Sequence, residues 1–392
     1  MIAPGAMLGV LGGGQLGRMF VHAAQRLGYR VAVLDPDAAS PAGACADLHL
    51  RAAYVDAAAL DELALQCAAV TTEFENVPAA ALERLAARGT RVAPQAASVA
   101  VCQQRAAEKA LFASCGVPVV PHAAIDTLDQ LEAAAATRAD ELLPGILKTA
   151  REGYDGKGQR AVGDAAELLA AWRAFGEAPC LLERRLELRL ELSVIVARAD
   201  DGRTVSLPLA QNLHRGGILA LTQAPAPDVP DAVAGQAERH AAAIVQALGH
   251  VGVLCIEFFW TADGRLLANE MAPRPHNSGH YSIEACMPSQ FELQVRTLAG
   301  LPLAAPRLQC GAAAMLNLLG DLWFDADGLA RTPDWAALLD DPALALHLYG
   351  KHEPRRGRKM GHVTICGDDA AAVLAGVRRA AARLGLPDPL TA

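Results

Sequence analysis

Glu257 and Glu270 are the residues of this chain best suited to hold a cation. They sit in two apolar runs that flank Asp263-Gly264, a dipeptide that favours a two-residue hairpin turn because both central positions need φ > 0. With Ala262 and Arg265 as the closing pair, the register sets Glu257 opposite Glu270 and Phe259 opposite Ala268. The other face receives Ile256, Phe258, Trp260, Leu267 and Met271, with Asn269 as its one polar member. Directly opposed side chains start about 4.5–5.5 Å apart. Carboxylates held that close beside an apolar face repel, so either one is protonated or a cation lies between them. Oxygen-only ligands suit Mg²⁺, which usually completes its shell with water and a nucleotide's phosphates. The plain alternative is that both point into water, where the repulsion is screened.

Other stretches carry phosphate chemistry. Lys148 ends an apolar run and precedes Gly153-Tyr154-Asp155-Gly156-Lys157-Gly158-Gln159. Glycines at this spacing let the backbone fold back and bring its N–H groups to phosphate oxygens, with Lys148 as a fixed charge. This is not the Walker pattern, because no Gly-Lys-Ser/Thr opens a helix, and a hairpin loop can be glycine-rich for geometry alone. Near the C-terminus, Lys351-His352-Glu353-Pro354-Arg355-Arg356-Gly357-Arg358-Lys359 concentrates positive charge in an acidic chain. That knot suits a monophosphate or ribotide, or else a solvated loop. Glu73 and Glu75 follow a strand-like run at 70–72, where they could hold a substrate hydroxyl or amine, or else Glu75 and Asn76 only cap the helix over 79–88. His214 lies in a polar stretch, 212–217, that reads as a turn and by itself suggests a structural histidine.

The N-terminal elements raise a competing reading. A strand over 7–11, the turn Gly12-Gly13-Gly14-Gln15-Leu16-Gly17, a helix and a second strand ending at Asp35 match the dinucleotide fingerprint. That pattern alone supports an NAD-dependent dehydrogenase as well as a glycine turn of purely structural use. Helical spacing covers 96–115, with Arg105 and Lys109 one turn apart, and recurs over 231–248 and, interrupted at Pro288, over 281–298.

The whole composition fits an ordered enzyme. At 392 residues, 52% hydrophobic and 20% charged, the chain can build several buried cores. A formal charge of −8 gives no reason to expect nucleic-acid binding. Nine scattered cysteines without C-x-x-C spacing read as reduced thiols of a cytoplasmic protein. The first basic residue is Arg18, which is unlike the start of a signal peptide, and no segment reaches the roughly 18–20 apolar residues of a membrane span. We expect a Rossmann-like domain over 1–115, a small α+β lid over 116–180, a large α/β subdomain over 181–305 and a small C-terminal domain over 306–392.

In that order, these pieces resemble the ATP-grasp superfamily. Nearly end to end the chain resembles its N5-carboxyaminoimidazole ribonucleotide synthetases, most specifically at Gly12-x-Gly14-Gln15-Leu16-Gly17-Arg18-Met19, Glu73-Phe74-Glu75-Asn76-Val77-Pro78, the loop 153–159, Asn212-Leu213-His214, Asn269-Glu270-x-Ala272-Pro273-Arg274-x-His276-Asn277-Ser278-Gly279-His280 and Gly357-Arg358-Lys359-Met360-Gly361-His362. The resemblance implies that ATP phosphates meet Arg105, Lys148 and residues 153–159. It implies adenine on Glu183, Arg184, Arg185 and Leu186, ribose on Glu191, and His214 at the nucleotide. Mg²⁺ falls to Glu257 and Glu270, with Asn269 beside them. Aminoimidazole ribonucleotide falls to Glu73, Tyr154, Asp155, Lys351 and Arg358, and bicarbonate and product to Arg274, His276 and Asn277. Asp155, Lys351 and Arg274 are the expected catalytic group, Asp155 being one candidate acceptor of the amine proton and the released phosphate another. The run 184–190 is more charged than the family leads one to expect, which bears on adenine positioning.

The implied reaction joins ATP, bicarbonate and the ribotide into N5-carboxyaminoimidazole ribonucleotide, ADP and phosphate through carboxyphosphate, in purine biosynthesis. The resemblance also implies a homodimer and hand-off of product to a mutase, and it sets the NAD reading aside. The remaining rivals are another ATP-grasp ligase, such as a formate-dependent glycinamide ribonucleotide transformylase, and a silent ATP-binding regulator.

Overall fold

Strand β1 (Met7–Leu11) runs through the glycine turn into the helix Gln15–Arg26 and back along strand β2 (Arg30–Leu34). The helix buries Phe20, Val21 and Ala24 against the sheet, and Leu16 and Met19 against Phe291 and Tyr349. Strands β3 (Leu48–Leu50), β4 (Ala69–Thr72) and β5 (Arg91–Val92) complete a parallel sheet of order β3-β2-β1-β4-β5. These coordinates are a computed structural model, which describes residues 1–151, 153 and 158–390.

A second, antiparallel sheet lies in the segment expected as a lid: β6 (His122–Ile125), β7 (Gly145–Thr149), β8 (Gln159–Val162) and β9 (Cys180–Arg184), ordered β6-β9-β7-β8. Its core gathers Ile125, Leu131, Leu147, Leu168, Trp172 and Leu182. Strand β9 runs past the boundary expected at 180.

The third sheet takes β10 (Leu188–Arg198), β11 (Thr204–Ser206), β12 (Ala210–Arg215), β13 (Ile218–Ala224), β14 (Gly252–Thr261) and β15 (Leu266–Ala272). After a short pair, β16 (Cys286–Met287) with β17 (Arg307–Leu308), the chain adds β18 (Ala312–Leu319), β19 (Leu344–Leu348) and β20 (Lys359–Gly367) to that same sheet. The C-terminal unit therefore has no sheet of its own. Its helix Ala370–Leu384 packs Val373, Val377 and Ala380 on β18 and β20.

Several local expectations change. The helical pattern over 96–115 divides into Ala96–Cys102 and Arg105–Ser114, where the Arg105 N–H leaves the helical ladder for the Ala150 carbonyl, and Gln103 at the break donates its side-chain amide to the Glu75 and Val77 carbonyls. The pattern over 281–298 divides into Ser282–Ala285 and Gln290–Ala299 around Pro288, which has no N–H to give a helix. Asn212 to Arg215 extend β12, and only Gly216 and Gly217 turn, both at positive φ. The helix Asp231–Ala247 forms as expected and buries Ala237, Ala241, Ile244 and Val245.

The hairpin holds the most informative departure. Thr261 and Arg265 close its turn, leaving three residues between them with Gly264 left-handed at φ +85°. This geometry shifts the register, so Phe259 opposes Leu267 and Phe258 opposes Ala268. A bulge between Glu257 and Phe258 then restores the expected pairing, Glu257 opposite Glu270. Asn269 is the extra residue, and it leaves the apolar face where a regular ladder would put it. Leu266 and Ala268 join Ile256, Phe258, Trp260 and Met271 in one core cluster, while Leu267, also buried, lies outside that cluster.

Candidate functional site

The three sheets enclose a cleft of about 900 Å³ whose walls include Glu73, Arg105, Lys148, Glu183, Glu257, Asn269, Glu270, Arg274 and Lys359. The bulge turns Asn269 and Glu270 together toward it. Burial and the facing Glu270 push the Glu257 carboxyl up to about 7. Glu270 behaves oppositely. Burial raises its pKa, but Arg105, Lys148 and Lys109 outweigh that and hold it below the usual carboxylate range. Arg105 Nη1 donates to Glu270 Oε2 at 2.8 Å, and His276 Nε2 stands 3.0 Å from Glu257 Oε1. Both glutamates have a partner in the cleft, Glu270 with 40% of its side chain still open to solvent. Two opposed carboxylates, one raised by burial and by the other's charge, fit a divalent cation of hard character.

The glycine turn at the N-terminus is occupied by the chain itself. Gly14 N–H and Gly17 N–H donate to the two Glu73 oxygens at 2.7 and 2.5 Å. Gly13 N–H donates to Asp35, which also accepts from Tyr54. These amides are the ones a dinucleotide's pyrophosphate would need, and Asp35 is the acid its ribose would need. The dehydrogenase reading fails on this geometry. A Cβ on Gly12 would come within 2.2 Å of Glu73 Cγ, so the glycines serve the close approach of Glu73.

Lys148 and Lys109 both reach Glu183, at 2.5 and 2.9 Å, in a nearly water-free cluster. Burial would raise the Glu183 carboxyl, yet the two lysines bring it down to about 2. Burial and the neighbouring Lys148 meanwhile push Lys109 down. The strap Arg184, Arg185 and Leu186 lines the cleft, as do Ile146, Glu191 and His214. His214 Nδ1 is 3.1 Å from Glu191 Oε2, and its pKa is raised because Glu191 and Glu257 overcome burial. His214 is thus part of the site.

Arg274 pairs with Glu75 at 2.5 Å, which removes Glu75 from any capping role; the helix Ala79–Ala87 begins at Pro78 without a side-chain cap. Asn277 lies buried at the cleft with neither side-chain polar atom hydrogen-bonded. Gly153, Gly158 and Gln159 bracket the lid loop, and Gly153 and Gln159 line the cleft. Tyr154, Asp155, Gly156 and Lys157 lie outside the described residues. Lys351 and Arg358 occupy the basic loop but not the cleft wall: Lys351 donates to the Lys359 carbonyl and Arg358 to the Glu353 carbonyl. Lys359 lines the cleft instead. Sequence reasoning also missed Glu108, whose carboxyl burial and Glu270 push up to about 8 while it accepts the Met271 N–H. Its helical spacing from Arg105 was the available signal.

Family models match in three successive segments: a ribonucleotide synthetase preATP-grasp domain over residues 6–103, an ATP-grasp domain over 110–291, and a phosphoribosylaminoimidazole carboxylase C-terminal domain over 313–376. The N5-carboxyaminoimidazole ribonucleotide synthase of Brucella melitensis is 42% identical, over 93% of this chain and 97% of its own length. The N5-carboxyaminoimidazole synthetase of Staphylococcus aureus, solved with ADP, superposes with a TM-score of 0.87 at 34% identity, covering 98% of both chains. The Aspergillus clavatus N5-carboxyaminoimidazole synthase, solved with ADP and 5-aminoimidazole ribonucleotide, gives 0.86 at 31% identity, covering 97% of this chain and 98% of that one.

Proposed function

Since the chain belongs to the N5-carboxyaminoimidazole ribonucleotide synthase family of ATP-grasp enzymes, we propose that its cleft unites ATP, bicarbonate and 5-aminoimidazole ribonucleotide. It is an ATP-dependent carbon–nitrogen ligase of purine biosynthesis, and the formate-dependent transformylase alternative falls away. The observation that carries the site assignment is the pair Glu257 and Glu270 facing one another beside Arg105 and Lys148.

In this reading Lys148, Arg105 and the loop 153–159 bind the ATP phosphates, residues 183–186 the adenine, and Glu191 and His214 the ribose side. Glu257 and Glu270, with Asn269 beside them, would hold Mg²⁺, which when bound offsets the charge of the phosphate oxygens. Arg274, His276 and Asn277 orient bicarbonate for attack on the γ-phosphorus, giving carboxyphosphate and ADP. The paired Arg274 and Glu75 keep that cation fixed rather than mobile. Fixed positive groups aimed at the equatorial oxygens need no reorganisation as charge develops. Carboxyphosphate is labile, so the lid must exclude water until the ribotide amine attacks it or the CO₂ it yields. In this proposal Glu73, Tyr154 and Asp155 face the ribotide, Lys351 and Arg358 approach its phosphate from the basic loop that Lys359 joins to the cleft wall, and the amine proton passes to Asp155 or to the released phosphate. The proposal includes a cytoplasmic homodimer that hands its product to a mutase; no helix among the described residues is long and apolar enough to cross a membrane.

The test is ADP release with ATP and Mg²⁺, supplying bicarbonate and the ribotide singly and together. Full turnover is expected only with both. Equal turnover with formate and glycinamide ribotide would overturn the assignment.

A further inference from the structure

A second set of donors adjoins the Glu257 carboxylate. Cys255 stands two places before Glu257 on β14, and alternate residues of a strand share a face. The Cys255 sulfur, a Glu257 oxygen and a His276 ring nitrogen all lie within 4.8 Å of one another. Nε2 is the His276 nitrogen turned to this set, 3.0 Å from Glu257 Oε1.

The ring is held from behind by a buried relay. His276 Nδ1 is 2.8 Å from the Ser278 hydroxyl and accepts the Ser278 backbone N–H at 3.3 Å, while that hydroxyl accepts from Ser193 Oγ at 2.8 Å. Ser193 in turn accepts from Asn212 Nδ2 at 3.0 Å, and Thr222 donates to Asn212 Oδ1 at 2.9 Å. Zinc-ligating histidines are oriented in this way, with the nitrogen remote from the metal fixed by a hydrogen bond.

Sulfur, imidazole nitrogen and one carboxylate oxygen do not suit Mg²⁺, which takes oxygen and water, but they suit Zn²⁺ and similar divalent transition ions. Metal distances of about 2.0–2.3 Å ask the side chains to close in by roughly an ångström. Arg274, whose charge acts on both Cys255 and His276, is already paired with Glu75. We propose that Cys255, Glu257 and His276 form a site for Zn²⁺ or a like transition ion, its fourth position open to the cleft. On binding, the thiol releases its proton to solvent, and His276 takes the tautomer protonated on Nδ1, which then donates to the Ser278 hydroxyl in place of accepting the Ser278 N–H and leaves Nε2 free for the metal. Occupation withdraws Glu257 from its proposed Mg²⁺ role and so stops the ligase, a consequence that rests on the function proposed above.

The probe is Co²⁺ titrated into metal-free full-length protein without nucleotide. A thiolate-to-cobalt charge-transfer band in the near ultraviolet is expected, displaced by Zn²⁺ and lost in Cys255→Ala. Ser278→Ala keeps all three ligands and should weaken Co²⁺ binding by about 10–100-fold. Absence of the band, or a band that persists in Cys255→Ala through the other cysteines, overturns the site, and so does unchanged affinity in Ser278→Ala. These readouts require no turnover, so they fail independently of the ligase reading. In the ADP-release assay with excess Mg²⁺, Zn²⁺ should inhibit Cys255→Ala about tenfold less than the parent, each measured against its own zinc-free rate. Equal sensitivity would remove the inhibitory consequence.

Discussion

Glu270 meets Arg105 now and would meet a metal-bound nucleotide in turnover, so its charge matters more than its shape. Glu270→Gln keeps the volume and a hydrogen-bond acceptor for Arg105 but removes the negative charge. We expect ADP formation to fall below detection while the circular dichroism spectrum and melting profile stay close to those of the parent; near-normal turnover would sink the metal assignment. Glu183 makes the opposite kind of case, because its role is structural before it is catalytic. With 3% of its side chain exposed and a lysine on each oxygen, Glu183→Gln leaves two buried ammonium groups without their counter-charge, at a cost of about 3–5 kcal/mol. The sign with pH follows from the lowered carboxyl. The folded state holds the ionised form more tightly than the unfolded chain does, so the stabilisation is complete above 4.5 and is lost as pH falls toward about 2. Denaturant melts of parent and variant should therefore differ most near neutrality and converge in strong acid. A constant gap across that range would show that packing, not charge, explains the loss.

At the level of elements, the hairpin shows what register arithmetic can and cannot reach. The facing of Glu257 and Glu270 was legible because period-two alternation and an Asp-Gly turn constrain a ladder strongly. The route was not, since a three-residue turn and a compensating bulge reach the same pair by different steps. The polar Asn269 inside an apolar alternation was the available sign of the bulge. The glycine turn of the first βαβ unit was misleading for a related reason. Its sequence describes a loop that accepts close approach, but not which partner approaches, and here the partner is Glu73, distant in sequence. Gly12→Ala tests that account. The residue has φ +110°, and a methyl group would meet Glu73 Cγ at 2.2 Å. Overpacking of this kind costs about 1–3 kcal/mol, and it should displace Glu73 from the Gly14 and Gly17 amides. We expect a lower melting temperature and a raised KM for the ribotide, with KM for ATP little changed. Unchanged ribotide kinetics would detach Glu73 from the substrate site.

For the whole molecule, the order of the units was readable because each carries its own periodicity, whereas the way the last one joins was not. Strands β18 to β20 look like a separate small domain in sequence, and hydrogen bonding of β18 to β13 makes them one sheet with the hairpin. Sheet continuity has a mechanical consequence. The basic loop between β19 and β20 is anchored to the same sheet as Glu257, so its charges stand at a fixed offset from that carboxylate. Lys359, at the start of β20, lines the cleft; Lys351 reaches the Lys359 carbonyl from the facing arm of the loop. In the proposed arrangement a phosphate bound by this loop belongs to the ribotide, since the ATP phosphates are assigned to Arg105, Lys148 and the loop 153–159. Lys351→Ala should raise KM for the ribotide about tenfold or more, corresponding to the roughly 1.5–3 kcal/mol of a hydrogen bond to a charged group. KM for ATP should change less than about twofold, and adding salt should weaken ribotide binding more in the parent than in the variant. Equal losses for both substrates would mean that Lys351 holds the loop in shape rather than the phosphate in place.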